Sequence, residues 1–460
     1  MLKTNYCGEL NLKSKGKEVV LAGWVHARRD HGKLIFIDLR DSTGIVQIVI
    51  TSKIREGQKL NPEFVVQVKG KVNERPEGMK NKKIPTGEIE IEAGKLKILS
   101  TSKTPPFEIN QDTIKVNEEK RLEYRYLDLR RARLQKNLRM RHKVIQFFRN
   151  YLTEKGFVEI ETPLLTKSTP EGARDYVVPS RLYPGKFYAL PQSPQQYKQL
   201  LMVAGFEKYF QIARALRDED TRGDRQPEHT QLDIEISFTT PKEIMSLIEN
   251  MVVAMMKEFF LNKKMKTPWP RVNYHESMKK YGTDKPDLRE NKNDPDEIAF
   301  AWIVNFPSFE LNKQTKDIQP VHHMFVQPRE DSINLIDTDP LKMISTQYDW
   351  VCNGYELASG SIRIIDPQLQ MKVFKLLGMK EEKARQQFGH ILEAFTYGVP
   401  PHGGIAPGID RLTMILQNEP NIREMIAFPK TGDGRDPMMK SPDKISKEQL
   451  KELGLKVNPK

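Results

Sequence analysis

The chain has 460 residues, of which 38% are hydrophobic and 29% charged, and its formal net charge is +13. This length suffices for about three domains, whereas the longest apolar runs are shorter than the roughly 20 residues of a membrane-spanning helix. The only two cysteines, Cys7 and Cys352, lie far apart, which excludes a disulfide framework and a cysteine metal cluster. Since the first residues do not resemble a signal peptide, we expect a soluble, cytoplasmic protein.

The positive charge is concentrated at the start of the chain. Residues 1–100 contain 19 Lys and Arg against 12 Asp and Glu. A basic N-terminal module favours binding to a polyanion such as a nucleic acid. The alternative is that the basic balance serves only solubility, and charge alone leaves both interpretations open.

Residues 1–104 are predicted to form a small β-barrel. Extended runs separated by turn residues occur at 19–26, 34–40, 45–50, 64–72 and 88–99. We expect the last run to be split at Ala93 and Gly94. Five short strands in about 100 residues are typical of a Greek-key barrel of the OB type, whose exposed face binds single-stranded nucleic acid.

Two side chains on this barrel are candidates for contact with bases. Along residues 34–40, a period of two places Ile35, Ile37 and Leu39 on one face and Phe36 on the other, among charged groups. An aromatic ring in such surroundings could stack on a base, although ordinary packing is the alternative. Gln47 interrupts another apolar strand and could read a base edge.

The remainder of the chain is predicted to contain a linker, an α+β domain and an extension. Residues 105–140 form a linker and an arginine-rich hinge, whose charges either face solvent or contact phosphate. In residues 141–430, helical patterns at 140–155, 194–205 and 241–260 flank β-rich segments at 177–190, 230–238, 349–364 and 404–412. This mixture favours an antiparallel sheet over repeated βαβ units. Residues 431–460 form a Lys-rich C-terminal extension.

Four segments place charged groups in apolar surroundings. The first two lie at residues 169–176 and 192–198. A glycine-containing loop carries Glu171 and is suited to closing over a ligand. Ser193 is then predicted to cap a helix. In that helix, Gln195 and Lys198 are three residues apart and therefore lie on one face.

The third segment is predicted to be a strand, a long polar loop and a returning strand. Arg217 and Glu219 share one face of the first strand, and Asp233 and Glu235 share one face of the second. Such paired acids and bases could hold a charged ligand. A structural ion-pair network is the alternative for each segment taken alone.

The fourth segment combines Glu356 and Arg363 with a glycine-rich run at 403–411, in which Arg411 opens a helix. Glycines let a ligand approach the backbone closely. Several arginines and carboxylates at controlled positions suit a nucleoside triphosphate with a divalent cation, because guanidinium groups bind phosphates and carboxylates bind Mg²⁺. The chain has no GxxxxGK[ST] sequence, and no early strand is followed by GxGxxG, so neither a P-loop nor a dinucleotide fold is predicted.

Together the four segments resemble those of the bacterial-type aspartyl-tRNA synthetases, which are class II aminoacyl-tRNA synthetases. The resemblance covers nearly the whole chain. Residues 156–163 resemble motif 1, which builds the dimer interface in this class, residues 217–235 resemble motif 2, and residues 404–411 resemble motif 3. Three signatures in this order are far more specific than any one of them. The resemblance implies an OB-type barrel followed by a class II catalytic domain with an antiparallel sheet, that is, an α+β protein.

The resemblance also implies the ligands of each site residue. The implied aspartate ligands are Glu171, Ser193, Gln195, Lys198, Arg217, Asp233, His322 and Arg363. The implied ATP contacts are Arg217, Asp218, Glu219, Gln226, His229, Glu356, Gly408, Ile409, Asp410 and Arg411, with His322 or His323 near the γ-phosphate. Asp349 and Glu356 would hold Mg²⁺.

The implied chemistry is the ATP-dependent activation of L-aspartate and its transfer to the end of a tRNA. Arg217 would bind the α-phosphate, while Lys198 and Arg363 would pair with the side-chain carboxylate of aspartate. Two cations facing one carboxylate reject asparagine, because its amide leaves buried charge unpaired.

In the barrel, the resemblance implies an anticodon-reading set of five residues, namely Arg29, Phe36, Gln47, Arg75 and Glu90. Family members charge either tRNA(Asp) alone or both tRNA(Asp) and tRNA(Asn). His31 and Gly78 match the relaxed kind. The alternatives are a ligase strictly specific for tRNA(Asp) and a non-catalytic tRNA-binding paralogue.

The chain departs from the family pattern in three respects. The inserted domain usual in the bacterial type is absent near residues 285–300, where only a short polar bridge occurs. Ala358 and Ser359 stand where glycines are usual, and Pro407 replaces a large apolar residue. None of these departures removes a charged ligand, so we expect an active homodimeric enzyme.

Overall fold

A computed structural model describes residues 2–111, 115–168 and 172–458 of the chain. The chain divides into two compact units, an N-terminal unit of residues 1–121 and 126–131 and a C-terminal unit of residues 122–125 and 132–460. Across these described ranges, no helix has both the length and the apolar character that crossing a bilayer demands. The predicted boundaries of a separate linker and a C-terminal extension stay predictions.

The N-terminal unit is a closed five-stranded barrel in the order β1-β2-β3-β5-β4, with β1 also paired to β4. This confirms the predicted OB-type barrel. Its strands are β1 (Glu18–Asp30), β2 (Leu34–Arg40), β3 (Ile45–Thr51), β4 (Val65–Glu74) and β5 (Ile89–Ser100).

The predicted alternation along β2 is confirmed, because Ile35, Ile37 and Leu39 are buried in the barrel core while Phe36 lies on the outer face. The predicted split of the last strand is wrong. Strand β5 runs unbroken, and Gly94 is instead the extra residue of a bulge in its pairing with β4. A bulge accommodates one unpaired residue by bending the strand, so glycine need not end it.

The helices of the chain are α1 (Glu118–Glu123), α2 (Arg125–Asp128), α3 (Ala132–Glu154), α4 (Gln195–Val203), α5 (Pro241–Phe259), α6 (Tyr274–Tyr281), α7 (Pro367–Leu376), α8 (Glu381–Ala394), α9 (Ile409–Leu416) and α10 (Lys447–Glu452). Helix α5 shows why such boundaries are predictable. Thr240 and Glu243 form a reciprocal capping box at its start, where Pro241 is the first helical residue.

The strands of the C-terminal unit are β6 (Val158–Glu159), β7 (Val177–Pro179), β8 (Phe187–Ala189), β9 (Lys208–Leu216), β10 (Glu228–Ser237), β11 (Lys264–Met265), β12 (Arg271–Asn273), β13 (Glu297–Ile298), β14 (Phe300–Val304), β15 (Phe309–Leu311), β16 (Ile318–Pro320), β17 (Tyr348–Cys352), β18 (Tyr355–Ile362) and β19 (His402–Ile405). Eight of them form a sheet in the order β12-β14-β17-β18-β19-β10-β9-β6. Its central pairings are antiparallel, which confirms the predicted α+β class.

Helices α3, α5 and α9 cover one face of this sheet and share a hydrophobic core with it. Phe148 of α3, Ile248 of α5 and Leu412 of α9 are buried against sheet residues that include Trp350. The predicted β-rich segment 404–412 is wrong beyond its second residue, because β19 ends at Ile405 and α9 begins at Ile409.

The arginine-rich hinge is held by buried contacts. The guanidinium of Arg125 donates to three main-chain carbonyls, those of Arg423, Ile426 and Ala427, at 2.8–2.9 Å. Arg141 donates to Asp410 at 2.8 Å. These arginines are structural, so neither predicted alternative, solvent exposure or phosphate contact, describes them.

A short segment of residues 282–296, which we call the bridge, connects α6 with β13. It is anchored at its start, where the buried Ser277 hydroxyl donates to the carbonyl of Thr283 at 2.7 Å. Leu288 in the bridge packs against a small apolar cluster that includes Ile303 and Val351. The bridge is therefore held at its start and at Leu288.

Candidate active site

A cavity of about 530 Å³ opens in the C-terminal unit. It brings together the five charged residues on which the sequence prediction depends, namely Lys198, Arg217, Glu356, Arg363 and Arg411. Nine other predicted site residues also line it, namely Ser193, Gln195, Glu219, Gln226, His229, Asp233, His322, Gly408 and Asp410. Residues far apart in the chain therefore converge on one site.

Three of the described predicted residues stand apart from the cavity lining. Asp349 lies behind Ser359, Ile409 is buried in the hydrophobic core, and the side chain of Asp218 is 47% exposed near Arg174. Glu171 lies outside the described residues.

The loop that follows Glu171 is tied down by Gln192. The Gln192 side chain accepts from the amide of Ala173 at 3.0 Å and donates to the carbonyl of Ala173 at 2.8 Å. The predicted cap of α4 by Ser193 is wrong, because Pro194 occupies the N-cap position and no side chain caps the helix; the Ser193 hydroxyl lies one residue earlier and accepts from the amide of Gln195 at 3.3 Å. These contacts position the wall of the cavity that Gln195 and Lys198 form.

A buried network of four charged side chains forms the floor of the cavity. The ammonium of Lys198 lies 3.0 Å from Asp233 Oδ1 and 3.2 Å from Glu235 Oε2. Arg363 donates to the same Glu235 through two parallel bonds, Nε to Oε1 at 2.8 Å and Nη2 to Oε2 at 3.0 Å. Because all four groups are almost inaccessible to solvent, their charges interact strongly.

The pKa values of the two acids of this network shift in opposite directions. Burial works to raise the pKa of Glu235, but Arg363 and Lys198 outweigh it and lower that pKa to about 2. Burial raises the pKa of Asp233, and Lys198 only partly offsets this. Glu235 is therefore the fixed anion that holds the two cations side by side.

Two adjacent histidines complete this part of the site, with ring centroids 4.3 Å apart. Burial, followed by the charge of Arg363, lowers the pKa of His322 to about 3. Burial and His322 lower the pKa of His323 well below its ordinary value. Arg363 Nη1 donates to His323 Nε2 at 2.9 Å, so His323 contacts the cation implied to bind aspartate.

The loop between β9 and β10 forms a second wall. Arg217 lies just beyond β9, whose last residue is Leu216, so the predicted sharing of a strand face by Arg217 and Glu219 is wrong. Arg217 Nε donates to the carbonyl of Gln192 at 3.3 Å. The amide of Arg217 still bonds to the carbonyl of Pro227 at 2.7 Å, one residue beyond the last paired residues, Leu216 and Glu228.

Three residues implied to contact adenosine lie along this wall. Gln226 is buried and accepts from the amide of Lys430 at 2.8 Å, while Glu219 pairs with Arg225 at 3.4 Å. Burial, followed by the charges of Arg217 and Arg411, lowers the pKa of His229 to about 3. A neutral imidazole presents a flat face on which an adenine ring could stack.

Helix α9 brings Arg411 to the cavity. Its guanidinium donates to the carbonyl of Glu356 and to Asp224 Oδ2, the latter at 3.2 Å. Both carboxylate oxygens of the neighbouring Asp410 are occupied, one by Arg141 at 2.8 Å and the other by the amide of Thr230 at 2.9 Å. Asp410 therefore fixes the start of the helix.

Gly404 lets two strands meet behind the charged floor. A Cβ atom at this position would lie 2.1 Å from Glu235 Oε2 and 2.1 Å from the carbonyl oxygen of Ile234. No side chain fits at such distances. Gly404 thus brings the backbone of β19 into contact with the carboxylate that orders Lys198 and Arg363.

Asp349 and Glu356 are the candidate metal ligands. Burial and the negative charge of Glu356 raise the pKa of Asp349 well above its ordinary value. Asp349 Oδ1 accepts from Ser359 Oγ at 2.5 Å and from Gln347 Nε2 at 3.0 Å. Two carboxylates suit Mg²⁺, which takes one or two protein ligands and completes its shell with water and substrate phosphates. The described ranges contain no cluster of three or more His, Cys, Asp or Glu side chains able to hold a metal ion.

The implied anticodon-reading residues form a connected row on the barrel. Arg29 donates to both oxygens of Asp38 at 2.8 Å and to Gln47 at 3.3 Å, and Gln47 donates to Glu90 at 2.9 Å. Arg75 is buried and donates to a carbonyl through Nε, whereas its Nη2 has no hydrogen-bond partner among the described residues. The row therefore has a preset hydrogen-bonding pattern.

The residues implied to set tRNA specificity lie on the same barrel. The His31 ring packs edge-on against Phe36, with centroids 5.5 Å apart. Gly78 lies in an exposed turn with no heavy atom within 4 Å of the position of a Cβ. His31 is thus positioned to act through Phe36.

Several residues at the site have no role that the sequence alone predicts. Glu235 has a two-residue spacing from Asp233, which predicts a shared face but does not identify its partners. Gln231 donates to Asp233 Oδ2 at 2.8 Å, and Lys285 lines the cavity from the bridge. Nothing in the local sequence of either residue indicates this position.

Two family models match the chain. The model described as tRNA synthetases class II (D, K and N) matches residues 117–432, and the model described as OB-fold nucleic acid binding domain matches residues 19–99. Together they cover the strands of the barrel and the cavity.

Relatives named Aspartate--tRNA(Asp/Asn) ligase align along almost the full chain. The protein of Rubrobacter xylanophilus is 46% identical, with 99% of this chain and 97% of the relative covered. That of Dictyoglomus turgidum is 42% identical, with 99% and 98% covered. The Rubrobacter alignment has 582 positions against 460 residues, so at least 122 positions are gaps in this chain. This difference agrees with the absence of an inserted domain.

Solved structures share the fold at lower identity. An asparaginyl-tRNA synthetase from Pyrococcus horikoshii complexed with asparaginyl-adenylate has a TM-score of 0.75 at 24% identity, with 94% of this chain and 99% of that chain covered. An aspartyl tRNA synthetase from Entamoeba histolytica has a TM-score of 0.74 at 23% identity, with 93% and 91% covered. These similarities support the fold alone.

Proposed function

Because the chain belongs to the class II tRNA synthetases of the D, K and N group, we propose that it is an aspartate–tRNA ligase that acts on both tRNA(Asp) and tRNA(Asn). It activates L-aspartate with ATP and transfers it to the terminal ribose of the tRNA. The observation that carries this proposal is the pair of cations, Lys198 and Arg363, held side by side on the cavity floor by Glu235. The names of the full-length relatives agree with this assignment.

The cation pair selects an acidic substrate side chain. An ammonium group has three donors and a guanidinium group has five. Lys198 uses its donors on Asp233 and Glu235, and Arg363 uses four on Glu235, His323 and Ser361. Each cation therefore keeps one donor for a ligand. A carboxylate accepts both donors, whereas the amide nitrogen of asparagine cannot accept either, so aspartate is preferred.

The substrate ammonium group is received by acceptors beside the cation pair. Asp233 supplies negative charge, and Ser193 and Gln195 supply neutral acceptors at the start of α4. Glu171 is the further acid in this proposal. Matching both ends of a small zwitterion fixes its α-carboxylate toward the nucleotide, which is the orientation the reaction requires.

The activation step needs no nucleophilic side chain. The α-carboxylate of aspartate attacks the α-phosphorus of ATP in line, a new C–O–P bond forms, and pyrophosphate leaves. Arg217 neutralises the charge that develops on the α-phosphate oxygens. Glu219, Gln226 and His229 hold the adenosine part. Arg411 meets the far end of the triphosphate.

Asp349 and Glu356 are the residues that would hold Mg²⁺. Its charge would neutralise the phosphate oxygens of ATP when bound. Within this proposal, Glu356 faces the cavity while Ser359 and Gln347 orient Asp349 behind it. Gly408, Ile409 and Asp410 support Arg411 through the main chain and the helix start.

The barrel reads the anticodon in this proposal. Phe36 stacks on one base, and Gln47 with Glu90 reads the edges of others, while Arg29 and Arg75 lie near the backbone. His31 and Gly78 allow both tRNAs to be accepted. The boundaries 1–104, 105–140, 141–430 and 431–460 remain our proposed division into anticodon-binding domain, linker, catalytic domain and extension.

We further propose that the protein is a cytoplasmic homodimer. Support for a dimer comes from the segment that resembles motif 1 and the two residues after it, where Val158, Leu164 and Leu165 are each about half exposed. Clustered exposed apolar side chains are typical of an interaction surface.

The test is exchange of labelled pyrophosphate into ATP by the purified chain, followed by aminoacylation of both tRNAs. We expect exchange with aspartate and charging of tRNA(Asp) and tRNA(Asn). Exchange with asparagine or lysine but not with aspartate would refute the substrate. Charging of tRNA(Asp) alone would restrict the proposal to a tRNA(Asp)-specific ligase.

A further inference from the structure

Six cationic side chains line the cavity, namely Lys198, Arg217, Arg225, Lys285, Arg363 and Arg411. Four of them are paired with carboxylates on the same walls. Lys198 and Arg363 pair with the acids of the floor, Arg225 pairs with Glu219, and Arg411 pairs with Asp224.

The other two cations are Arg217 and Lys285. Within the ranges that the structure describes, neither has a carboxylate oxygen within 4.0 Å, and the only hydrogen bond of the Arg217 side chain goes to a main-chain carbonyl. A cation on a cavity wall that no carboxylate of the protein neutralises remains available to bind an anionic ligand. Arg217 already has an assigned partner, the α-phosphate, whereas Lys285 has none.

We propose that Lys285 binds the β- and γ-phosphates of ATP, and hence the departing pyrophosphate. This inference rests on the proposed function, since it assigns a further ligand to the same nucleotide. Lys285 is a substrate-binding residue in this account, and it contributes charge neutralisation to the leaving group. A flexible ammonium group is a common ligand for phosphates.

The bridge presents Lys285 from an anchored backbone. The Thr283 hydroxyl accepts from the amide of Lys285 at 3.2 Å, and the carbonyl of Thr283 is held by the buried Ser277. The next residue, Pro286, is buried. The side chain of Lys285 is itself exposed, so it reaches the cavity from a fixed point and remains free to meet a ligand.

The position of the bridge indicates which phosphates Lys285 contacts. Asp287 of the bridge lies against Gly354, because a Cβ on that glycine would be 3.8 Å from the Asp287 Cβ. Gly354 is two residues before Glu356, whose carbonyl contacts Arg411. Arg217 belongs to the other wall, beside Gln192. A triphosphate with its α-phosphate at Arg217 and its far end at Arg411 therefore passes Lys285 in its outer part.

The test compares ligands with and without the outer phosphates. Binding of ATP and of AMP is measured by calorimetry on the full chain, for the wild type, Lys285→Met and Lys285→Arg, together with the KM for pyrophosphate in aspartate-dependent exchange. Lys279→Met is the matched control, because Lys279 is an exposed lysine of α6 outside the cavity lining. Neither binding measurement depends on turnover.

We expect Lys285→Met to weaken binding of ATP and to raise the KM for pyrophosphate about tenfold, with AMP and aspartate unchanged. Lys285→Arg should retain most of the affinity, and Lys279→Met should behave like the wild type. Equal ATP affinity in Lys285→Met and the wild type would overturn the inference, as would an equal loss for AMP. If Lys285→Met shows the selective loss of ATP binding but the wild type shows no exchange with aspartate, the phosphate site stands and the proposed function fails.

Discussion

Arg363 and Glu235 are joined by two parallel hydrogen bonds, at 2.8 and 3.0 Å, in an environment that excludes solvent. The same carboxylate lies 3.2 Å from Lys198. One anion therefore sets the spacing of two cations, and that spacing is what distinguishes a carboxylate ligand from an amide. The arrangement makes Glu235 a positioning residue for substrate selection rather than a substrate ligand.

We predict that Glu235→Gln lowers aspartate-dependent exchange at least about 100-fold and destabilises the fold by about 3–5 kcal/mol, because two buried cations lose their shared partner. The measurements are the KM for aspartate, the KM for ATP and denaturant unfolding. A merely structural role would lower kcat with both KM values unchanged, whereas the positioning role raises the KM for aspartate selectively. Unchanged exchange would contradict the role.

The stability difference between Glu235→Gln and the wild type should shrink in acid. Since the pKa of Glu235 is lowered from an ordinary 4.5 to about 2, its stabilisation is present above pH 4.5 and is lost as pH falls towards 2. Asp233 has a raised pKa, so its protonation favours the folded state as pH falls and opposes this loss. Unfolding by urea at pH 7 and pH 3.5 measures both trends, and a constant difference would be the contrary result.

We predict that Lys198→Met reduces the preference for aspartate over asparagine by about 100-fold, since only Arg363 then meets the ligand carboxylate. Pyrophosphate exchange with each amino acid gives the two values of kcat/KM. Methionine keeps the length of the apolar stem, which limits loss of packing. An unaltered ratio would show that Lys198 serves only to neutralise Asp233 and Glu235.

We predict that Phe36→Ala weakens tRNA charging by about 5- to 150-fold while leaving pyrophosphate exchange unchanged, because loss of one base–aromatic stack costs about 1–3 kcal/mol. Leu99→Ala is the matched control, since Leu99 is an exposed apolar residue nine positions along β5 from Glu90. Equal effects of the two variants on the KM for tRNA would argue against stacking at Phe36.

His31→Ala should lower charging of tRNA(Asn) more than charging of tRNA(Asp), so that the ratio of the tRNA(Asn) rate to the tRNA(Asp) rate falls about tenfold. The His31 ring contacts Phe36 edge-on, so its loss changes the support of the stacking ring; such aromatic pairs are worth about 0.5–1.5 kcal/mol. Transcripts of both tRNAs, assayed side by side, provide the measurement. A parallel loss for both would separate His31 from specificity.

Gly404→Ala should abolish exchange and destabilise the chain, because its Cβ would lie 2.1 Å from Glu235 Oε2. Gly432→Ala is the matched control, as nothing lies within 4 Å of the corresponding position. Circular dichroism melting and exchange rates distinguish the two. A folded, active Gly404→Ala would mean that β19 and β10 separate more easily than their pairing indicates.

The sequence predicts the barrel strands well because each has a clear two-residue alternation and a turn on either side. The helix at 241–260 is predicted for a similar reason, since its capping residues are local. The predictions of a strand break at Gly94 and of a β-rich segment at 404–412 are wrong because a bulge and a strand-to-helix change depend on partners elsewhere in the sheet. Local propensity does not report those partners.

For the cavity, residue types and the family resemblance identify most of the lining, but not which charges are already neutralised. Arg141 belongs to a run of arginines that looks solvated, yet it holds Asp410 across 269 positions of chain. Glu235 and Lys285 likewise acquire their roles only through long-range contacts. Pairing of this kind follows from the fold rather than from spacing.

The bridge between α6 and β13 also marks a natural attachment point for protein engineering. Its first half is fixed by Ser277 and Leu288, whereas residues 291–293 are exposed and precede a strand of only two residues. A reporter module spliced after Asn291 would leave the sheet and Lys285 intact. The chain would then serve as a host protein for such fusions.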